Sequence, residues 1–193
     1  RTDLGAEIRK MFIPKPGHVL VDADYSQIEL RVLAHIAEDS VMQNAFCTGA
    51  DIHTTTAAQV FGVSAEEVTS LQRRHAKAVN FGIVYGIGGF SLAKDIGTTV
   101  KEATKYIKSY MYNYPSIAEY LERVVIEATE AGYTRTPLGR RRYIPELTSS
   151  KAKMRAFGER VAMNSPIQGS SADIIKMARV AVNRRLKEEK LKA

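Results

Sequence analysis

Apolar residues recur at helical spacing along most of this sequence, and this periodicity restricts the chain to a fold dominated by helices. From Gln27 onward the spacing predicts one such helix. Three further helix starts are indicated by a serine or threonine with a glutamate three residues later: Ser64 with Glu67, Thr99 with Glu102, and Ser116 with Glu119. The first of these helices is expected to cross Val68 and Leu71, and the third to end at Gly132.

Two segments carry the pattern of strands instead. His18–Asp24 has a short β-branched centre that follows a proline-rich turn, which predicts a strand covered on both faces. Tyr133–Ile144 predicts a hairpin that turns at Pro137-Leu138-Gly139 and has a basic second arm. The sheet is therefore expected to be small and antiparallel.

The last part of the chain predicts two helices separated by a break, because proline removes a backbone donor and glycine loosens the backbone. The expected order is a helix from Ser150 to about Met163, an interruption at Pro166 and Gly169, and a last helix from Ala172 to Leu191. Together these elements predict an α+β fold that is mostly helical.

Composition narrows the class of protein. Of the 193 residues, 45% are hydrophobic and 25% charged, which is typical of a globular chain and excludes a disordered one. Lysine and arginine outnumber aspartate and glutamate by 28 to 21, and the net charge of +7 favours a polyanionic partner, above all nucleic acid. The single cysteine, Cys47, excludes an internal disulfide, and no apolar run approaches the roughly 18 residues of a membrane span. We expect a soluble cytoplasmic protein with no membrane partner.

Asp22 and Asp24 are one residue apart and would share a face of the predicted strand. Hard cations such as Mg²⁺ bind carboxylate oxygens together with substrate phosphates, so this pair could hold a metal ion. The pattern is short, however, and solvated surface carboxylates explain it more often.

Arg73, Lys77, Phe81 and Tyr85 follow one another at intervals of four, so on a helix they share a broad face. Two cations are thus followed by two aromatic rings. The cations suit a triphosphate, and the rings suit a base and sugar further along the same face. The alternative is an amphipathic helix with solvated basic residues and core aromatics.

Arg160, Asn164 and Gln168 repeat this spacing in a stretch flanked by basic residues. Asparagine and glutamine can donate hydrogen bonds to acceptors that every base pair presents in the minor groove, which would give sequence-independent DNA contact. Ordinary polar helix surface is the alternative.

Five segments of the chain resemble motifs of the family A DNA polymerases, the bacterial DNA polymerase I type, in that family's order. They are Asp24–Arg31, the first polymerase motif; Asp51–Thr54; Arg73–Gly86, with the R-x3-K-x3-F-G-x2-Y-G form of the fingers helix; Gly139–Glu146; and Glu159–Gly169. The resemblance covers the whole chain. It implies a domain that adds a deoxynucleotide from a dNTP to the primer 3′ end of a primer-template DNA, with two Mg²⁺ ions as cofactors.

The resemblance also implies roles for the residues that match. Asp24 takes the position of the first catalytic aspartate, with the Tyr25 carbonyl as a further metal ligand, whereas Asp22 is not at a metal position. Arg73 and Lys77 match the residues that bind the incoming triphosphate, and Lys77 could also protonate the leaving pyrophosphate.

Other matches concern the nucleotide and the DNA. His53 matches a phosphate contact, and Glu29 matches the steric gate that excludes a ribose 2′-hydroxyl. Phe81 matches the residue that packs on the nucleotide, where a phenylalanine is associated with discrimination against dideoxynucleotides. Tyr85 matches an aromatic residue that stacks near the templating base. Four residues match positions near the primer terminus and the duplex minor groove: Gln27, Arg160, Asn164 and Gln168. Gln27 is also expected to bind the nucleotide, and Arg141 is a further expected DNA contact.

In the family's terms, residues 1–26 are expected to be the first part of the palm, residues 27–161 the fingers inserted in it, and residues 162–193 a second, truncated part of the palm. The family's third motif, with its second metal-binding aspartate, is not matched. We therefore expect a fragment of a replication and repair polymerase that is inactive alone. Two other classes stay open: a non-catalytic nucleic-acid-binding module, and a metal-dependent glycosyltransferase built on Asp22 and Asp24.

Overall fold

Helices dominate the computed structural model, which describes residues 3–192. Over that range the chain forms nine α-helices: α1 (Asp3–Arg9), α2 (Ile28–Ile36), α3 (Ser40–Cys47), α4 (Ile52–Phe61), α5 (Ser70–Val84), α6 (Gly89–Ile96), α7 (Val100–Asn113), α8 (Pro115–Ala131) and α9 (Ala152–Glu188). Two short strands, β1 (Tyr133–Arg135) and β2 (Arg141–Tyr143), lie between α8 and α9, and 3-10 turns occupy Ala65–Glu67 and Pro145–Thr148. The predicted α+β class, mostly helical with a small antiparallel sheet, is confirmed.

The chain divides into two compact units. Residues 27–172, here named the helical unit, form the larger one, and residues up to 26 form the other together with residues from 173 onward. Helix α9 contributes to both units. In the smaller unit α1 is followed by an extended segment, in which the amide of Val19 donates to the carbonyl of Lys192 at 3.1 Å.

The core of the helical unit forms where α5 packs along α4. One face of α5 buries Ala76, Val79 and Ile83. Tyr110 and Tyr114, at the end of α7, are fully buried beside each other with ring centroids 4.7 Å apart. Full burial of a large apolar side chain contributes about 1.5–3 kcal/mol, so this core holds the outward face of α5 in place.

The predicted hairpin and the predicted end of α8 are confirmed. Strand β1 pairs antiparallel with β2, and Thr134 lies opposite Arg142. Gly139 has φ 88° in the hairpin turn, and Gly132 has φ 78° just past α8. Glycine reaches this left-handed conformation without the penalty that a side chain adds, so both turns follow directly from the sequence.

The strand predicted over His18–Asp24 is wrong. The segment is extended but joins no sheet: its Val19 amide donates to the Lys192 carbonyl, and the hydrogen-bonded strands within residues 3–192 are β1 and β2 alone. Val19 is 61% exposed, so the expected cover on both faces is also missing among the described residues. A β-branched run specifies an extended backbone, whereas a strand also needs a neighbour for its amide and carbonyl groups.

Two of the predicted helix starts are displaced, and the start at Thr99 is confirmed with its capping box. The Ser64 capping box closes a single 3-10 turn, and α5 begins later, after a second box at Thr69. Helix α8 begins at Pro115 rather than after Ser116. Proline is favoured at a first helical position because its φ is already helical and the missing amide has no partner to lose there.

The predicted break at Pro166 and Gly169 is also wrong, because α9 continues through both residues. Pro166 leaves the Ala162 carbonyl without its helical donor, but Ala162, Pro166 and Ile167 are all buried. The hydroxyl of Ser170 donates to the Pro166 carbonyl at 2.6 Å. Burial of this face offsets the lost hydrogen bond. Local sequence rules predicted a break because they do not take this burial into account.

We expect Gly158→Ala to destabilise the helical unit. A Cβ at Gly158 would lie 2.9 Å from the Leu147 amide nitrogen and 3.1 Å from the Glu146 carbonyl carbon, and these backbone atoms cannot yield without moving the 3-10 turn. Alanine is favoured over glycine in a helix by about 1 kcal/mol. Overpacking should outweigh that gain, with a net loss of about 1–3 kcal/mol in the free energy of unfolding, measurable by urea denaturation.

Gly88→Ala is the control, because a Cβ at Gly88 meets no atom within 4 Å. It should lower the free energy of unfolding by less than about 1 kcal/mol. Equal losses in both variants would contradict the steric argument.

Candidate functional site

The stripe Arg73, Lys77, Phe81 and Tyr85 lies on the outer face of α5, opposite the buried face. Arg73 and Lys77 are exposed, Phe81 is half-buried, and Tyr85 follows the last helical residue and is exposed. The interpretation of solvated basic residues with core aromatics is therefore wrong for the aromatics, since neither ring is in the core. The face presents cations and rings to one side in the predicted order.

Asp51 holds Arg73 in place. Arg73 Nε lies 2.5 Å from Asp51 Oδ2, and Asp51 also accepts hydrogen bonds from the Thr54 hydroxyl at 2.6 Å and the His53 amide at 3.3 Å as the cap of α4. Burial raises the pKa of Asp51, but these hydrogen bonds and the Arg73 charge outweigh it and lower the pKa to about 2. A guanidinium has five N–H donors, so an arginine held through Nε still presents others to an anion.

The Asp51→Asn variant should lose stability at neutral pH and clearly less at low pH. The folded pKa is depressed from 3.8 to about 2, so the stabilisation is present above the unfolded pKa and is lost as pH falls towards 2. A shift of that size corresponds to about 2.5 kcal/mol before screening. Because the two side chains are 36% and 47% exposed, we expect about 1 kcal/mol or less. Urea denaturation of both proteins at pH 7 and pH 2.5 tests this. A difference as large at pH 2.5 as at pH 7 would assign the effect to the helix cap instead.

His53 lies behind this surface, almost fully buried in α4. Its ring centroid is 5.9 Å from that of Phe81, and its Nε2 is 3.4 Å from Gln27 Nε2. Burial lowers the pKa of His53; the Asp51 charge opposes this, and the charges of Arg73 and Lys77 add to it. The ring is therefore neutral at pH 7.

Glu29 and Tyr85 are joined at the other end of the stripe. The Tyr85 hydroxyl donates to Glu29 Oε2 at 3.0 Å. Burial and Glu29 raise the pKa of Tyr85, against a hydrogen bond from Gln168 that lowers it. The structure thus brings α2, the end of α5 and α9 together at one point.

The three polar residues of α9 all meet the end of α5. Asn164 Nδ2 donates to the Val84 carbonyl at 3.0 Å, and Gln168 hydrogen-bonds to Tyr85. Gly86 has φ 63°, and a Cβ there would lie 3.0 Å from Arg160 Cγ, so its lack of a side chain lets Arg160 pack closely. Arg160 and Gln168 are nevertheless exposed, so the stripe is polar helix surface whose members also contact the end of α5, and the DNA contact stays a prediction.

A cavity of about 690 Å³ opens beside this junction, between the end of α5 and α6. Its lining includes Phe81, Tyr85 and Arg160, with Ser91 and Asp95 from α6. It is large enough for a nucleobase and is bounded by two rings and a cation, which suits stacking.

Three predicted site residues lie elsewhere. Asp24 and Tyr25 belong to the smaller unit, in the extended segment, and both are exposed. No group of three or more His, Cys, Asp or Glu side chains suited to a metal ion occurs among residues 3–192. Arg141 is exposed on β2, with its guanidinium 4.9 Å from the ring centroid of Tyr133.

Asn80 and Asp51 are parts of this arrangement that sequence reasoning did not single out. Asn80 is fully buried on α5 between Lys77 and Phe81, and it contacts His53. A polar residue on the apolar face of an amphipathic helix was the available signal, since such residues need a partner. Asp51 was visible only as part of a motif, because its partner Arg73 is 22 residues away in sequence.

A mostly helical unit with a cationic and aromatic helix face, flanked by polar side chains from a second helix, has the features typical of domains that bind nucleoside polyphosphates or nucleic acid. Comparison with known proteins is more specific. The profile of DNA polymerase family A matches residues 1–193, and the chain belongs to that family.

Bacterial DNA polymerase I sequences are similar over the whole chain. The enzyme of Bacillus caldotenax is 53% identical over 194 residues, that of Caldicellulosiruptor bescii 52% over 191, and that of Pseudomonas aeruginosa 49% over 193. These matches cover 99–100% of the chain but only 21–22% of each relative, so the chain spans about a fifth of their length.

A solved structure is also similar. It is the POL domain of Pol1 from M. smegmatis, in complex with DNA primer-template and dNTP, with 41% identity and a TM-score of 0.89. The likeness covers 100% of this chain and 34% of that one. The family, the relatives and the solved structure named above are all DNA polymerases, which gives the glycosyltransferase alternative no support.

Proposed function

We propose that this chain is the part of a DNA-directed DNA polymerase that binds the incoming dNTP beside the primer end. The whole enzyme would add a deoxynucleotide to a primer 3′ end in DNA replication and repair. The observation that carries the proposal is the outer face of α5, where two cations and two rings stand in the order that a triphosphate, sugar and base require. The complex of the structural neighbour with DNA primer-template and dNTP supports it.

The phosphate end of the site is built from Arg73, Lys77 and His53. Arg73 is oriented by Asp51 and suits a bidentate contact with phosphate oxygens, and Lys77 supplies a point charge one turn further along. His53 is buried beside them as a neutral hydrogen-bond donor or acceptor. In the reaction, Lys77 would donate a proton to the leaving pyrophosphate.

The nucleoside end is assigned to Phe81, Glu29, Gln27 and Tyr85. Phe81 would pack on the sugar and base. Glu29 is held by the Tyr85 hydroxyl, so its carboxylate has a fixed position from which it can exclude a 2′-hydroxyl. The cavity beside Tyr85 would take the templating base.

The Mg²⁺ ligands from this chain would be the Asp24 carboxylate and the Tyr25 carbonyl. Both are hard oxygen donors on exposed residues. This fits Mg²⁺, an ion that commonly binds one or two carboxylates together with water and substrate phosphates. The metal would make the primer hydroxyl a better nucleophile and offset charge on the phosphoryl oxygens.

The DNA contacts are assigned to Arg160, Asn164, Gln168 and Arg141. The first three lie along one face of α9, and their amide and guanidinium donors match minor-groove acceptors. In this structure that face contacts the end of α5, so DNA and α5 would share these side chains.

We assign residues 1–26 and 162–193 to the palm and residues 27–161 to the fingers. The division of the compact units after residue 26 supports the first of these boundaries. The bacterial relatives support a cytoplasmic location, where DNA and dNTPs are found. None of the helices described for residues 3–192 meets the length and hydropathy required to span a membrane.

The experiment is a titration of the chain with dATP and Mg²⁺, with and without primer-template, followed by primer extension with the complete gene product that carries these residues. We expect dATP binding that strengthens with primer-template, and templated extension by the gene product. DNA binding with no dATP binding and no extension would favour the non-catalytic nucleic-acid-binding module.

A further inference from the structure

A chain of buried polar side chains runs behind the phosphate end of the site. The Tyr114 hydroxyl is 3.1 Å from Thr56 Oγ1, Thr56 Oγ1 is 3.2 Å from Asn80 Oδ1, and Asn80 Nδ2 is 3.1 Å from His53 Nδ1. All four residues are at most 3% exposed. A buried polar group costs about 1–3 kcal/mol when it is unpaired, and in this row each member has a hydrogen-bonding partner within the row.

Asn80 links the row to His53. Asn80 Nδ2 lies 3.1 Å from both His53 Nδ1 and Thr56 Oγ1, and Asn80 Oδ1 lies 3.2 Å from Thr56 Oγ1, so the amide N–H faces His53 while the Thr56 hydroxyl contacts both ends of the amide. A neutral imidazole carries one proton, and a nitrogen that accepts a hydrogen bond does not hold it. With Asn80 as the donor, the ring proton of His53 is on Nε2.

Gln27 has to be reconciled with this assignment, because its amide nitrogen lies 3.4 Å from Nε2 and both amide nitrogens cannot donate to one neutral ring. The Asn80 contact is shorter and fully buried, whereas Gln27 is half-buried near the surface. A Gln27 amide turned over would present its oxygen to the Nε2 proton, and a phosphate oxygen would then compete with it for that proton.

We propose that Asn80, held by Thr56 and Tyr114, is a positioning residue that fixes His53 as the Nε2-protonated tautomer and so keeps an N–H donor ready for a phosphate oxygen of the incoming nucleotide. The proposal rests on the proposed function. Arg73 and Lys77 are close enough to His53 for their charges to lower its pKa. A phosphate bound by these two cations would therefore also lie close to the His53 ring. A fixed neutral donor adds a directional hydrogen bond where the two cations add charge.

The tautomer is measured directly by long-range ¹H–¹⁵N correlation spectra of the chain labelled with ¹⁵N-histidine. The sequence has four histidines, and His53→Gln identifies the signal of interest, with His18, His35 and His75 as internal references. We expect His53 to show a protonated Nε2 and an unprotonated Nδ1. In Asn80→Asp the new carboxylate can only accept, so the proton should move to Nδ1.

A second variant leaves His53, Asn80 and Gln27 unchanged. Thr56→Val keeps the shape of threonine but frees the Asn80 amide to rotate, which should give a mixture of the two tautomers. Thr55→Val is the matched control, since the Thr55 hydroxyl donates to the Asp51 carbonyl, outside the row, and the His53 spectrum should not change.

Affinity for dATP with Mg²⁺ completes the test. Loss of a directed hydrogen bond to a charged phosphate should raise the Kd about tenfold in Asn80→Asp and less in Thr56→Val, with no change in Thr55→Val. A wild-type ring protonated on Nδ1 would overturn the proposal. So would a Thr56→Val protein that unfolds more easily yet keeps both the wild-type tautomer and dATP affinity. If the wild-type chain binds no dATP, the proposed function fails and the phosphate role with it, while the spectra still report on the row itself.

Discussion

Lys77→Ala in the complete gene product is expected to reduce the rate of nucleotide addition by about 10²–10⁴-fold, the range that a positioned proton donor contributes. Lys77 is exposed on the outer face of α5, one turn beyond Arg73 and one turn before Phe81. Alanine is the best helix former, so the free energy of unfolding should change by no more than about 0.5 kcal/mol. Single-nucleotide primer extension under pre-steady-state conditions measures the effect.

Two further variants separate charge from proton transfer. Lys77→Arg keeps the positive charge, but a guanidinium does not give up its proton in a protein, so dATP affinity should stay within a few-fold while the rate remains low. Lys101→Ala removes an exposed lysine from α7 and should leave the rate unchanged. A normal rate in Lys77→Arg would remove the proton-donor role and leave Lys77 as a phosphate contact.

The Asp24→Asn variant should lose nucleotide addition by about 10³-fold or more, since metal-assisted charge stabilisation contributes several kcal/mol to such reactions. Asparagine has the same shape as aspartate but no charge, and it binds hard cations less strongly than a carboxylate does. Asp24 is exposed, so its replacement should not affect folding. The measurement is primer extension across a Mg²⁺ titration.

Asp22→Asn is the matched control for Asp24, because it lies two residues away in the same exposed segment. It should retain the wild-type rate and Mg²⁺ dependence. Equal losses in the two variants would point to a general electrostatic effect of this acidic segment, and the assignment of Asp24 as a metal ligand would fall.

Local sequence rules succeeded where the structure depends on neighbours in the chain. The hairpin follows from Gly139 and the end of α8 from Gly132, each with the left-handed backbone that glycine favours. The outer face of α5 follows from spacing by four residues, because 3.6 residues per turn bring such positions to one side. None of these features needs a partner distant in the sequence.

The same rules failed where distant segments decide the outcome. The break predicted at Pro166 does not occur, because packing of the buried face of α9 offsets one lost hydrogen bond. The strand predicted at His18–Asp24 lacks a partner strand among residues 3–192. In both cases a local preference was correctly identified and was then outweighed or left unfulfilled by tertiary contacts.

The sequence by itself determined the helical class, the order of cations and rings on α5, and the family resemblance that the comparisons confirm. Only the tertiary structure decided which groups those residues contact: Asp51 beside Arg73, Glu29 beside Tyr85, and Asn80 behind His53. The physical reason is range. Periodicity and capping act over a few residues, whereas hydrogen bonds between side chains 22–56 residues apart form only after burial has fixed both helices in place.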